Sequence, residues 1–209
     1  MNERKKDFAF DKRAAAYDEG FEGKFSQRFY NALLSRLDLN PSCAVLDVGC
    51  GTGYLLWQMS RRQEIQGHGI DVEPRMIEEA KRKCPQMDIQ VSPSGKTPFQ
   101  SDTFDTITAC MAYHHFSDKE GFAKEAARLL KAGGRLYITD PFFPYVIRKT
   151  INGILKLFRV TGKFFSPKEM AVDFGRFGFV PGYVSRKGIV QVVELCKPEP
   201  CGGVDTHGE

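Results

Sequence analysis

Twelve residues, Val45-Leu46-Asp47-Val48-Gly49-Cys50-Gly51-Thr52-Gly53-Tyr54-Leu55-Leu56, constrain the fold of this chain more than any other stretch. The apolar run Val45–Val48 reads as a buried strand. It breaks into three alternating glycines and resumes as a helix at Tyr54. Glycine accepts positive φ and lacks Cβ, so the bend can be tight and a ligand can lie against the backbone. The start of the next helix adds unpaired N–H groups and positive dipole. A strand, a glycine turn and a helix in this order predict a nucleotide-type cofactor site at the first crossover of a doubly wound sheet.

Asp71 sharpens that expectation. It ends a second predicted strand, Gly67–Asp71, 18 residues after Gly53. An acid at this spacing can accept hydrogen bonds from ribose hydroxyls. It can equally cap the helix that Pro74 opens and Pro85 stops.

The rest of the chain repeats the rhythm. Asp88–Val91 is a short third strand, Phe104–Met111 a fourth and Arg135–Thr139 a fifth, with a helix over Asp118–Lys131. Ala132-Gly133-Gly134 reads as the cap and turn that end this helix. Strands alternating with helices imply a parallel α/β sheet. Ahead of it, Phe25, Phe29, Leu33 and Leu37 recur at helical spacing over Lys24–Leu37. Behind it, Tyr145–Thr161 reads as a basic amphipathic helix with Ile147, Ile151, Ile154, Leu155 and Phe158 on one side. Ser166-Pro167 opens a short helix to about Phe177. Phe179–Arg186 and Ile189–Cys196 are split only by Lys187-Gly188, so they form an antiparallel hairpin.

Composition narrows the classes. A chain of 209 residues with 42% hydrophobic and 27% charged residues is expected to form one folded domain. Thirty Lys+Arg against 26 Asp+Glu is too small an excess to argue for nucleic-acid binding. Six scattered cysteines, with no C-x-x-C pair, fit free thiols in a reducing cytosol rather than a disulfide frame or zinc site. The first residues lack the apolar core of a signal peptide, and no apolar run reaches the ~20 residues that span a bilayer.

With these motifs in place the chain resembles the class I S-adenosylmethionine-dependent methyltransferases, and within them the small-molecule branch called type 11. VLDVGCGTGYLL, GHGIDVEPRMI, FDTITACMAYHHF and LLKAGGRLYITD occur in that family's order. FDKRAAAYD and FFSPKEMAVDFGRFGF are also similar to that branch. The resemblance spans about residues 8–196. It implies an α/β, doubly wound, seven-stranded, mostly parallel sheet with an antiparallel last strand and a helical cap. It divides the chain into an N-terminal cap segment and helix (1–40), a methyltransferase domain (41–197, with a cap insertion at 141–177 between strands five and six) and a disordered tail (198–209).

The resemblance also assigns residues. Gly49, Cys50, Gly51 and Gly53 would let the backbone approach S-adenosyl-L-methionine. Asp47 would hold its amino group, Asp71 its ribose, Val72 would pack on the adenine and Cys110 would offer main-chain contacts. Tyr17 would close over the methionine end. Similar enzymes often carry an acid before a Pro-Phe to bind the adenine amino group; here Ser92-Pro93-Ser94 stands at that position, so the contact is either missing or shifted to Ser92, Ser94 or a carbonyl.

His114 and His115 follow the fourth strand at the ligand edge. One could act as general base for an acidic acceptor, since imidazole titrates near neutrality. Alternatively one packs under the next helix and the other closes a loop. Tyr17 and Tyr113 are candidates to face the sulfonium. Adjacent histidines with no third ligand do not make a metal site. The expected activity is methyl transfer from S-adenosylmethionine to a small-molecule acceptor, apolar or acidic in character, by in-line displacement. S-adenosylhomocysteine is the other product. The expected protein is cytoplasmic, a monomer or homodimer, without nucleic-acid partners or stable membrane insertion. The same residues leave open an RNA or protein methyltransferase, a nicotinamide dehydrogenase and a non-catalytic cofactor-binding protein.

Overall fold

In the computed structural model, residues 18, 20–158 and 162–199 are described. Tyr17 and residues 200–209, to which expectations were attached above, lie outside them. The first helix, α1 (Phe21–Leu34), begins and ends three residues earlier than its apolar spacing suggested. Phe29 and Leu33 are fully buried on its inner side. Strand β1 (Cys43–Val48) is buried along its whole length, as a central strand flanked on both faces must be. The chain then alternates through α2 (Tyr54–Ser60), β2 (Ile65–Asp71), α3 (Pro74–Lys83), β3 (Asp88–Val91) and β4 (Phe104–Cys110). A single 3₁₀ turn (Tyr113–His115) leads to α4 (Lys119–Leu129) and β5 (Leu130–Pro141). Helices α5 (Tyr145–Leu157) and α6 (Pro167–Gly175) precede β6 (Val180–Lys187) and β7 (Val190–Cys196).

The seven strands lie in the order β3-β2-β1-β4-β5-β7-β6. All pairings from β3 to β5 are parallel; β7 runs antiparallel to both β5 and β6. The two-residue link between β6 and β7 allows nothing but a hairpin. The strand order reverses between β1 and β4, which opens a crevice at their C-terminal ends.

Two expectations are corrected. Ala132-Gly133-Gly134 does not cap α4, which ends at Leu129 with Leu130 already extended. Instead Phe104 pairs with Leu130 and Thr106 with Arg135, so residues 131–134 bulge out of the ladder. Gly133 takes positive φ there, and the N–H of Gly133 and C=O of Gly134 pair with Lys197. The glycines serve a bend in the strand, which needs left-handed backbone as much as a helix end does.

The second correction concerns α5. Its apolar residues do not share one side: Val146, Ile147, Ile154, Leu157 and Phe158 are exposed, Ile151 and Leu155 are half-buried, and the one buried side chain is Arg148, at 5%. Arg148 pairs with Glu169 Oε2 at 3.0 Å and donates to the Phe143 carbonyl. Asn152 forms two hydrogen bonds with the backbone of Phe164. Phe165, Met170 and Phe174, by contrast, are buried against Tyr113 and Phe122. Helix α6 opens with the capping box that Ser166 and Glu169 make reciprocally. Among the described residues, no helix is long and apolar enough to cross a membrane.

Candidate active site

The C-terminal ends of β1, β2 and β4 border a cavity of about 580 Å³. Gly49 and Gly51 form its floor, Asp71, Val72 and Glu73 one side, and Ser92–Lys96 the rim beyond. Cys110, Met111, Ala112, His115 and Phe116 close the opposite side. This volume is in the range of sites that bury a drug-sized molecule.

The glycine turn is fixed by sterics. Gly49 has φ +74°, and a Cβ there would stand 2.5 Å from the Cβ of Ala112. Gly53 has φ +73°, and a Cβ there would stand 3.2 Å from the Ala80 backbone, so the third glycine lets α3 pack against the turn. Asp71 holds the loop: one carboxyl oxygen accepts from Gly51 N at 2.9 Å, the other from Glu73 N at 3.0 Å. Asp71 thus braces the turn that enters α3 through the N–H of Glu73, and it also borders the cavity. It retains acceptor capacity, because a carboxyl group offers about four lone-pair sites.

The turn also reaches the N-terminal segment. Thr52 Oγ1 donates to Asp18 Oδ1 at 2.8 Å, and Lys83 pairs with the other oxygen of Asp18. Met111 takes φ +56°, a left-handed conformation that is rare for a long side chain and tends to accompany function.

The assigned residues separate into two sets. Gly49, Gly51, Asp71, Val72, Ser94 and Cys110 border the cavity. Asp47, Cys50 and Gly53 stand behind it. Asp47 is buried and accepts from Thr108 Oγ1 at 2.7 Å. Burial pushes its carboxyl up to about 7; the Thr108 bond opposes this and the Asp71 charge adds to it. Burial raises the thiols of Cys50 and Cys110 as well, so both are protonated at neutral pH. Val72 remains largely exposed, an apolar side chain open to a flat ligand face. The cavity's ionisable lining is mostly acidic, with Asp71, Glu73 and Asp118 against Lys96, which suits a cationic ligand.

The two histidines have different surroundings. His114 is buried, its Nδ1 2.9 Å from Asp140 Oδ1 and its backbone N–H donating to Asp140 Oδ2. A carboxyl acceptor at Nδ1 selects the tautomer with hydrogen there. Its ring stacks on Phe164, and its carbonyl accepts from Lys163 N. His115 borders the cavity, its ring centroid 3.9 Å from that of His114. Burial of its inner side, then the neighbouring His114, lowers the pKa of His115 below the usual 6.5. It is therefore a neutral imidazole at neutral pH. Tyr113 faces away, packed among Phe116, Phe122, Phe165 and Phe174, and is not a cavity residue.

Tyr30, Met76, Met111 and Phe116 border the cavity without having been singled out in the sequence. Only Tyr30 carried a signal, an aromatic at the side of the first predicted helix. Among the described residues, none of 141–177 borders the cavity. Among the described residues, no group of three or more His, Cys, Asp or Glu is placed to hold a metal ion.

A methyltransferase-domain family model matches residues 45–134, from β1 to the bulge in β5. The nocamycin O-methyltransferase of Saccharothrix syringae is 30% identical over 206 residues, covering 89% of this chain and 72% of the relative. The demethylmenaquinone methyltransferase of Tropheryma whipplei (strain Twist) is 30% identical over 162 residues, covering 71% and 67%. Among solved structures, Haemonchus contortus phosphoethanolamine N-methyltransferase 2 in complex with S-adenosyl-L-methionine superimposes with a TM-score of 0.73. That likeness covers 90% of this chain and 57% of that one at 15% identity, and shows the fold. Identity of 30% with a methyltransferase, over 89% of this chain and 72% of that relative, makes this protein a member of the class I S-adenosylmethionine-dependent methyltransferases.

Proposed function

We propose that the enzyme methylates a small organic acceptor, with S-adenosylmethionine lying across the glycine turn and the acceptor approaching from the His115 side. The observation that carries this is the asymmetry of the cavity, acidic at Asp71 and Glu73 and lined opposite by a neutral imidazole. When bound, the cofactor supplies an electrophilic methyl group on a sulfonium, which needs no further activation.

The chain's own residues then position and shield. Gly49 and Gly51 would let the cofactor lie on the backbone, and Asp71 would accept from the ribose hydroxyls. Val72 would cover an adenine face and Ser94 would stand at its amino edge. Asp47, behind the turn, would hold the cofactor's amino group, and Cys110 would contribute main-chain groups. Cys50 and Gly53 shape the turn from behind. Tyr17, adjacent to the tethered Asp18, would fold over the methionine end. Holding donor and acceptor in line and excluding water can supply ~7–11 kcal/mol.

His115 is the candidate catalytic base: neutral imidazole can take a proton from a hydroxyl or carbon acid as the methyl is transferred. His114, held by Asp140, is a positioning residue whose ring lies tilted against that of His115. The named relatives methylate nocamycin and demethylmenaquinone. We infer by analogy an apolar, ring-containing acceptor with an acidic hydroxyl or carbon. We further read residues 1–40 and 141–177 as cap segments around the 41–197 domain, residues 198–209 as a tail, and the protein as a cytoplasmic monomer or homodimer.

The test is a transfer assay with methyl-labelled S-adenosylmethionine against extracts and pooled metabolites, with mass analysis of the product. Labelled small molecules support the proposal. Label confined to RNA or protein refutes the acceptor class.

A further inference from the structure

Between Asp140 and Glu169 the chain carries Arg148, Lys149, Lys156, Arg159, Lys163 and Lys168 and no acid. The remaining residues hold 24 cations against 26 anions, so the positive net charge of the protein resides in this one stretch. Within it, α5 is oriented against the usual rule for a surface helix. Its polar side chains Arg148 and Asn152 face inward and are satisfied by Glu169, Phe143 and Phe164. Most of its apolar side chains face out, Leu157 at 77% exposure, while Ile151 and Leu155 are half-buried beside the inward polar pair.

At 100° per residue, Val146, Ile147, Ile154, Leu157 and Phe158 share one outward arc, within which the Thr150 hydroxyl donates to the Val146 carbonyl, with Lys149, Lys156 and Tyr145 along its edge. An apolar arc flanked by cations and an interfacial aromatic is the pattern of a helix that lies in a lipid headgroup layer.

We propose that α5 docks this enzyme on the surface of an anionic phospholipid bilayer, with the apolar arc among the acyl chains and Lys149 and Lys156 on the headgroups. Charge decides between this and other occupants. A second copy seated on the same face would set like charges against each other. Residues 1–17 carry five cations and three anions, so they too are not complementary to a basic face. A nucleic acid would satisfy the lysines and leave the apolar arc in water. The segment after α5 is tied to the catalytic side, since Lys163 N donates to the His114 carbonyl, one residue from His115. Docking would therefore hold the cavity's acceptor side near the lipid, where an apolar acceptor dissolves.

Flotation of the full chain with vesicles tests this. One vesicle set contains phosphatidylglycerol and phosphatidylcholine, the other phosphatidylcholine alone. Binding is expected on the anionic set at about 50 mM salt and is expected to fall steeply as salt rises. Lys149→Glu with Lys156→Glu should weaken it at least 25-fold, at about fivefold per cation. Val146→Ser with Leu157→Ser should weaken it at least tenfold. Both pairs are exposed, so melting temperature and S-adenosylmethionine affinity should be unchanged. Three results would overturn the proposal: no binding to the anionic vesicles by folded protein, undiminished binding by both variants, or a dimer in sedimentation that Leu157→Ser dissolves. Methyl transfer does not depend on the outcome, so failure here leaves the proposed reaction standing.

Discussion

Asp47 offers a test of how deeply the cofactor turn is sealed. In the native protein its carboxyl is held at about 7, against 3.8 for an ordinary aspartate, because burial opposes its ionisation. Between these values the native state keeps a proton that the unfolded chain has released. Stability therefore falls as pH rises from about 4 to about 7, and levels off above that. A shift of roughly three units at ~1.4 kcal/mol each sets a ceiling of about 4 kcal/mol. Asp47→Asn keeps the shape and an oxygen that Thr108 can bond, but cannot ionise. The wild type should lose stability relative to Asp47→Asn across this window, whatever their difference at pH 4. For a chain of this size the gap in Tm should widen by up to about 8–16 °C. Thermal unfolding at half-unit steps from pH 4 to 8 measures it. Two profiles that remain parallel within about 2 °C would refute the burial argument.

Other substitutions probe the remaining parts. Gly49→Ala adds a Cβ 2.5 Å from Ala112 on left-handed backbone, so urea unfolding should show a loss of about 2–4 kcal/mol. Asp71→Asn turns one acceptor into a donor facing Gly51 N or Glu73 N; calorimetry should show S-adenosylmethionine affinity reduced at least tenfold, or about 1.4 kcal/mol. His115→Asn should lower kcat by about 10²–10⁴ and remove a limb of the rate profile below pH 6.5 that the wild type shows, leaving cofactor affinity unchanged. Glu169→Gln removes the charge facing the buried Arg148 guanidinium but keeps an oxygen that can accept from it, and Glu169 is partly exposed, so the loss should be about 1.5–3 kcal/mol, whereas Arg148→Met removes the buried charge and should cost less.

Local signals were legible where one residue type has one mechanical use. The interval from Gly53 to Asp71 gave the strand–turn–helix–strand unit, because only glycine accepts φ +73° against the Ala80 backbone. Lys187-Gly188 gave the hairpin because two residues cannot carry a crossover. The signals failed where a residue has two uses or a face has two partners. Gly133 could end a helix or bend a strand, and pairing with Lys197 selected the bend. The periodicity of 145–161 located an apolar arc but not the direction it faces. That direction follows from Glu169, a partner more than ten residues away whose pairing with Arg148 no helical pattern encodes. Tyr113 lies beside two histidines at the ligand edge, yet the 3₁₀ turn sends its ring into the core.

Glu169 is involved twice. Its carboxyl closes the first turn of α6 through Ser166, and the same oxygen receives the guanidinium of α5. The two helices thus share one carboxylate, alongside the Asn152–Phe164 hydrogen bonds that also hold α5. An event that drew this acid away, whether a competing cation or protonation below its depressed pKa, would remove one of the ties that keep the polar side of α5 turned inward. Which way the helix shows its oily side is then set by partners outside it rather than by the sequence of the helix itself.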